Sequence, residues 1–143
     1  MCIRDRRIAA HFANAGFPVH LLDIVIPGQP NRNAAALAGI ENAARQKPVA
    51  FFTDAAKSLI APGNFDDHLD RLRECDWIVE AVAENLEIKR RLLGRVAEVR
   101  APGSIVSTNT SGIPLASIAA DFSTEWRAHF LGAHFFNLSL IHI

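Results

Sequence analysis

The sequence predicts an α/β fold, a doubly wound parallel sheet with helices on both faces. Three observations carry the prediction. Short runs rich in bulky and β-branched residues (VHLLD at 19–23, WIVEAV at 77–82, SIVS at 104–107, FLGAHFF at 130–136) recur along the chain. Between them lie longer segments whose apolar residues repeat at helical spacing, the alternation expected of strands joined by crossover helices. Polar residues then collect just beyond the strands, at Asp23, Glu84 and 108–112, where an open parallel sheet presents its ligand crevice.

Taken in order, residues 8–15 read as the tail of a helix with Ile8, Ala9, Phe12 and Ala13 on one side, stopped by Gly16. The strand 19–23 ends in an acid and is followed by a Pro/Gly/Asn loop over 27–33. A dinucleotide-binding βαβ unit needs an acid about 20 positions after the start of a G-x-G-x-x-G turn. Asp23 fills that place, yet counting back from it reaches MCIRDR, which holds no glycine. An alanine-rich helix is expected over 33–46, with Ala36, Leu37, Ile40 and Ala44 inward and Pro48 ending it. Residues 49–56 fit strand or helix, 58–61 a short strand, Pro62-Gly63-Asn64 a turn, and 66–73 a short helix with Leu69 and Leu72 as its apolar stripe.

The stretch WIVEAVAENLEIK reads as strand, turn and helix, placing Glu84 at the carboxyl end of the strand. Glu84 is either a ligand-facing acid or a charge that suits a helix N-terminus. From Asn85 onward Leu86, Leu93, Val96 and Val99 form the apolar stripe, while Lys89, Arg90, Arg91 and Arg95 fall mainly outside it. After the stop at 101–103 and the strand at 104–107, Thr108 to Gly112 is either a polar turn that caps the helix at 115–120 or a ligand edge. His134 lies in the last apolar run, where a histidine is either a satisfied core residue or a base. The other histidines show no ligand spacing, and no metal is expected.

Composition narrows the partners. At 143 residues, half of them hydrophobic, the chain has the length of one domain with a real core. Lysine plus arginine equal aspartate plus glutamate at 15 each, so no basic excess points to nucleic acid, and Lys89 to Arg95 reads as one exposed helical face. No apolar run approaches the roughly 20 residues that cross a bilayer. A cytoplasmic protein without a membrane partner is expected. Cys2 and Cys75 make neither a disulfide framework nor a metal cluster, and Cys75 reads as a small buried residue.

Together, the strand ending in Asp23, then WIVEAVAENLEIKRRLL, STNTSGIPLASIA and FLGAHFFN, resemble the NAD-binding domain of 3-hydroxyacyl-CoA dehydrogenases over about 8–137. The stretch before IAPGNFDD is similar to the form related to bacterial multifunctional fatty-oxidation proteins. The resemblance implies a Rossmann-like domain, NAD as cofactor, a 3-hydroxyacyl-CoA substrate, and a parent that is a homodimer or part of a multifunctional complex. It implies that His134 is the general base on the 3-hydroxyl, that Ser111 bonds the reacting oxygen, and that Asn137 lies beside them. It also implies that Asp23 binds the adenosine ribose and that Glu84 and Lys89 line the cofactor and acyl-CoA, with Ser111 and Asn137 also near the nicotinamide.

Departures from the family pattern shape further expectations. MCIRDR stands where the first strand and glycine loop would lie, Leu138 stands where the family has proline, and 1–7 and 138–143 read as non-native ends. The acid that orients the histidine and the helical C-terminal domain would follow beyond the last residue. A chain of this kind is expected to carry recognisable site residues yet to be inactive or nearly so. Without a first strand, the sheet is expected to hold an unpaired gap at its centre, which favours aggregation. Two alternatives stay open: a related hydroxyacid dehydrogenase, and a non-catalytic Rossmann-like nucleotide-binding or interaction module in which His134 is core.

Overall fold

The structure is a computed structural model that describes residues 3–135. The chain divides into two compact units, Asp5–Arg71 and the part from Leu72 onward. Among the described residues every strand pairing is parallel, as crossover helices require. The strands fall into two sheets, ordered β1-β2 and β3-β4-β5.

In the first unit, α1 (Ile3–Asn14) starts well before Ile8, so the helix takes in much of MCIRDR. Gly16 ends the segment with φ 89, a left-handed conformation that costs glycine nothing. β1 (Val19–Asp23) lies where its β-branched run predicts. α2 (Ala34–Arg45) buries Ala35, Ala36, Gly39, Ile40 and Ala43. The inward face is therefore rotated from the expected one: Leu37 and Ala44 are only half-buried. Small side chains drive that choice, because they let the helix backbone come close to its neighbours. A Cβ on Gly39 would lie 3.1 Å from the Arg6 side chain.

The region 49–58 holds no strand. It is a loop followed by α3 (Asp54–Ser58), whose N-cap Thr53 accepts from Ala56 N. Pro62-Gly63-Asn64, expected as a turn, is instead the second half of β2 (Ile60–Asn64), paired with Leu21 to Asp23. Among the described residues β2 pairs on one side only, so the N–H that Pro62 lacks interrupts no ladder. Gly63 is required by space: a Cβ there would stand 2.6 Å from Leu22 Cδ2. Ala9, Ala13, Ile40 and Ile60 form the core of this unit, with Val19, Leu21, Phe51 and Leu59 packed against them. The helix expected at 66–73 is a 3₁₀ segment, Leu69–Glu74.

The second unit opens with β3 (Trp77–Glu80), shorter than the apolar run because Ala81 and Val82 have already left the ladder. α4 (Leu86–Val99) begins at the N-cap Asn85, whose Oδ1 accepts from Ile88 N at 3.0 Å. β4 (Ile105–Thr108), α5 (Leu115–Ala119), α6 (Thr124–Ala128) and β5 (Phe130–Gly132) complete it. The core holds Ile78, Leu93, Val96, Val106, Ile118 and Trp126. The Trp126 indole stacks on Phe122 and Phe130, its centroid 3.9 and 4.7 Å from theirs. The last strand stops at Gly132 with Leu131 exposed, so FLGAHFF is not one buried strand and His134 lies beyond its end. Cys75 is half-buried, and burial first, then Asp76 and Glu74, pushes its thiol above the ordinary range. No described helix is long and apolar enough to cross a membrane.

Candidate functional site

The carboxyl edge of the β3-β4-β5 sheet gathers most of the residues singled out in the sequence. Glu84 does not end a strand: β3 stops at Glu80, and Glu84 stands in the loop between that strand and α4. Its Oε1 accepts from the Thr110 hydroxyl, from Ser111 N at 3.0 Å and from Gly112 N at 2.6 Å. Oε2 takes none of these bonds. A carboxylate that collects three donors is held in its ionised form, and the Thr110 hydroxyl, then the Gly112 and Ser111 amides, bring Glu84 down to about 2. The loop after β4 thus wraps the side chain that precedes α4. A Cβ on Gly112 would press to 3.2 Å from Oε1, which is why glycine suits that place.

His134 follows β5 on the same edge. Its Nδ1 lies 3.1 Å from the carbonyl oxygen of Asn109. A carbonyl only accepts, so Nδ1 carries the proton and donates it, and the lone pair of the neutral ring stands on Nε2. Asn109 fixes the same segment again: its Oδ1 accepts from Phe135 N at 2.7 Å. Ala133 N donates to the Thr108 carbonyl at 3.0 Å, so 133–135 is tied along the end of β4.

Beneath this edge lies a buried ion pair. Lys89 is 1% exposed, contrary to the expectation of an exposed basic face. Its ammonium donates to Glu80 Oε1 at 2.8 Å, Glu80 Oε2 at 3.0 Å and the Val82 carbonyl at 3.2 Å, which uses its three protons on protein oxygens. Glu80 Oε1 also accepts from Val82 N at 2.6 Å, Oε2 from the Thr108 hydroxyl at 2.6 Å, and the Glu80 carbonyl from Asn109 N at 2.8 Å. Glu80 is not among the residues expected at the site, whereas Thr108, Asn109 and Thr110 belong to the segment read as either a polar turn or a ligand edge. The sequence does carry a signal for the pair: Glu80 interrupts an apolar strand, and Lys89 falls between Leu86 and Leu93 on the apolar stripe.

In the first unit, Asp23 ends β1, and its Oδ1 accepts from Ile24 N at 2.8 Å. The end of β2 carries a second polar knot. Asn64, fully buried, donates to Asn33 Oδ1 at 2.7 Å and Asp67 Oδ2 at 2.9 Å and accepts from the Asp66 and Asp67 amides. Arg32 grips Asp67 with two bonds, of 2.6 and 2.9 Å; this fork, with Asn64, brings Asp67 down to about 2. Asn137 lies outside the described residues.

Asp23 is an acid at the carboxyl end of a parallel strand, a group able to accept from hydroxyls. In the second unit, described by itself, the edge of the sheet offers a carboxylate, hydroxyls and an imidazole. Among the described residues no glycine turn opens α1, and the first glycine of the chain is Gly16.

The family model of the 3-hydroxyacyl-CoA dehydrogenase NAD-binding domain matches residues 5–141. A probable 3-hydroxyacyl-CoA dehydrogenase of Deinococcus radiodurans is 45% identical over 130 residues, which cover 91% of this chain and 38% of that protein. A probable 3-hydroxyacyl-CoA dehydrogenase of Bacillus subtilis is 42% identical over 91% of this chain and 18% of its own length. The crystal structure of 3-hydroxybutyryl-CoA dehydrogenase from Escherichia coli K12 superposes with a TM-score of 0.65 at 28% identity, covering 92% of this chain and 27% of that one. The chain therefore spans well under half the length of these relatives. By its family match and by its parallel α/β architecture, the chain belongs to the 3-hydroxyacyl-CoA dehydrogenase family, as the NAD-binding domain.

Proposed function

We propose that this chain forms the cofactor-binding part of an enzyme that oxidises 3-hydroxyacyl-CoA to 3-ketoacyl-CoA in fatty acid β-oxidation. The observation that carries the reading is the hydrogen bond from His134 Nδ1 to the Asn109 carbonyl, because it leaves Nε2 as the basic nitrogen of the neutral ring. His134 then takes the proton of the 3-hydroxyl at Nε2 and returns it in the reverse direction. Ser111, two residues after Asn109, donates its hydroxyl to the same substrate oxygen, and the family resemblance assigns Asn137 to the same site. NAD, when bound, supplies the hydride acceptor.

Asp23 holds the adenosine ribose, and Glu84 presents Oε2 to the cofactor while Oε1 secures the loop of Ser111. Lys89, on α4 at the same edge, belongs to the cofactor-lining residues in this reading. Cytoplasmic placement and a parent that is a homodimer or part of a multifunctional assembly belong to the same reading. A fluorescence titration with NADH tests it: saturable binding is expected, weaker by at least about tenfold in Asp23→Ala, the cost of one hydrogen bond to a charged group. Titration curves that Asp23→Ala leaves unchanged would contradict the assignment of Asp23, and the absence of saturable binding would contradict the function.

A further inference from the structure

Arg32 and Asp67 meet on the surface of the first unit, their side chains 54% and 41% exposed. An ion pair in that setting adds little to stability, because water screens it and the arginine gives up rotamer freedom to make it. Its construction is nevertheless specific. Arg32 Nε and Nη2 donate to the two oxygens of one carboxylate, at 2.6 and 2.9 Å, the fork geometry that fixes both groups. Asp67 Oδ2 also accepts from Asn64, which is fully buried and whose own Oδ1 takes the Asp67 amide at 2.8 Å. Asn64 is the register partner of Asp23, and Phe65 N donates to the Asp23 carbonyl at 3.0 Å. The fork is therefore anchored on the residue beside the acid that the functional reading gives to the adenosine ribose.

Arg32 itself lies on the loop that leaves Asp23 and leads into α2, and it is the one cationic residue in 24–33. In dinucleotide folds an acid at this strand end receives a free ribose 2′-hydroxyl, and an arginine nearby receives a 2′-phosphate. Here the chain carries both groups, and the arginine is turned to the exit of β2. We propose that Asp67 is a specificity-determining residue: by engaging Arg32 in a fork anchored on Asn64, it withholds the guanidinium from a 2′-phosphate, so that the site takes a dinucleotide whose adenosine ribose carries a free 2′-hydroxyl. The inference deepens the functional reading above and rests on it for the place of the ribose.

The backbone of the loop has supports besides the fork. Asn33 Oδ1 accepts from Asn64 Nδ2 at 2.7 Å, and Asn31 Oδ1 takes the Asn33 amide at 2.9 Å. Asp67→Asn keeps the size of the side chain and an oxygen that accepts from Asn64, while the charge that draws Arg32 is gone. The guanidinium then pairs with a phosphate in preference to a neutral amide, because bonds between charged partners are the stronger ones.

Fluorescence titrations of the full chain with NADH and with NADPH test this, on the parent, on Asp67→Asn, and on Asp67→Asn combined with Arg32→Met, each with its thermal midpoint. The parent is expected to favour NADH. Asp67→Asn should raise NADPH affinity by at least about tenfold, the worth of one hydrogen bond between charged groups, with NADH affinity little changed, and the added Arg32→Met should abolish the gain. A parent that favours NADPH would overturn the proposal. So would an NADPH-to-NADH ratio that Asp67→Asn leaves unchanged, whatever the midpoint does, since the fork would then be simple support for the loop. A gain that persists without Arg32 would overturn it in favour of plain repulsion between Asp67 and the phosphate. Binding of neither nucleotide by any of the three proteins would overturn the functional reading and this inference with it, whereas NADH binding with a fixed ratio removes the inference alone.

Discussion

Glu84 shows how one exposed carboxylate organises a loop. Its three donors hold it ionised, so it titrates near about 2 and not near the ordinary 4.5. A carboxylate lowered in the folded state contributes stability above its unfolded value, and the contribution is lost as pH falls through the folded value. The gap in stability between the parent and Glu84→Gln is therefore expected at pH 7 and should close between about 4.5 and about 2. Urea unfolding of both proteins across that range measures it; a gap that persists unchanged at the acid end would contradict the hydrogen-bond account. For Lys89 the burial is complete and the arithmetic differs. Lys89→Met alone strands a charge on Glu80 and should cost about 3–5 kcal/mol in urea unfolding, most of which the paired change Glu80→Leu restores. Additive costs would mean that the two side chains act separately.

At the scale of elements, the strands and helices obey patterns that the sequence displays unevenly. β1 and α4 are legible because a β-branched run and a capped apolar stripe each name one structure. β2 is hidden, since Pro62, Gly63 and Asn64 are turn residues by type and become strand only through their pairing with Leu21 to Asp23. Gly63→Ala should lower stability by about 1–3 kcal/mol, the usual range for overpacking, because its Cβ would meet Leu22; an unchanged unfolding midpoint would show that Leu22 moves aside freely. Asn85→Ala should cost about 1 kcal/mol by removing the cap of α4. The inward face of α2 is hard to read from sequence because alanine-rich helices carry little contrast, and Gly39 counts as inward only once its neighbour Arg6 is known. The site divides the same way. Glu84, Ser111 and His134 stand out by motif, whereas Glu80 and Asn109 matter through a side chain and a carbonyl whose direction only the tertiary structure sets.

For the whole molecule, the fold class and the family were legible, because ordered motifs spread along the chain are more specific than any one of them. The two sheets required coordinates. The acid expected to hold the ribose ends β1 in one unit, and the histidine expected as the base follows β5 in the other. The central claim is the proposal that Asp23 is the ribose-binding acid of a dinucleotide site. The most direct measurement is an NADH titration that compares this chain with a version in which MCIRDR is replaced by a β-strand and a glycine turn, each with and without Asp23→Ala. The account predicts that the glycine turn tightens binding by at least about tenfold, as backbone N–H groups and the helix N-terminus come to face the diphosphate, and that Asp23→Ala weakens both versions. Binding by neither version, or binding that ignores Asp23 in both, would contradict it.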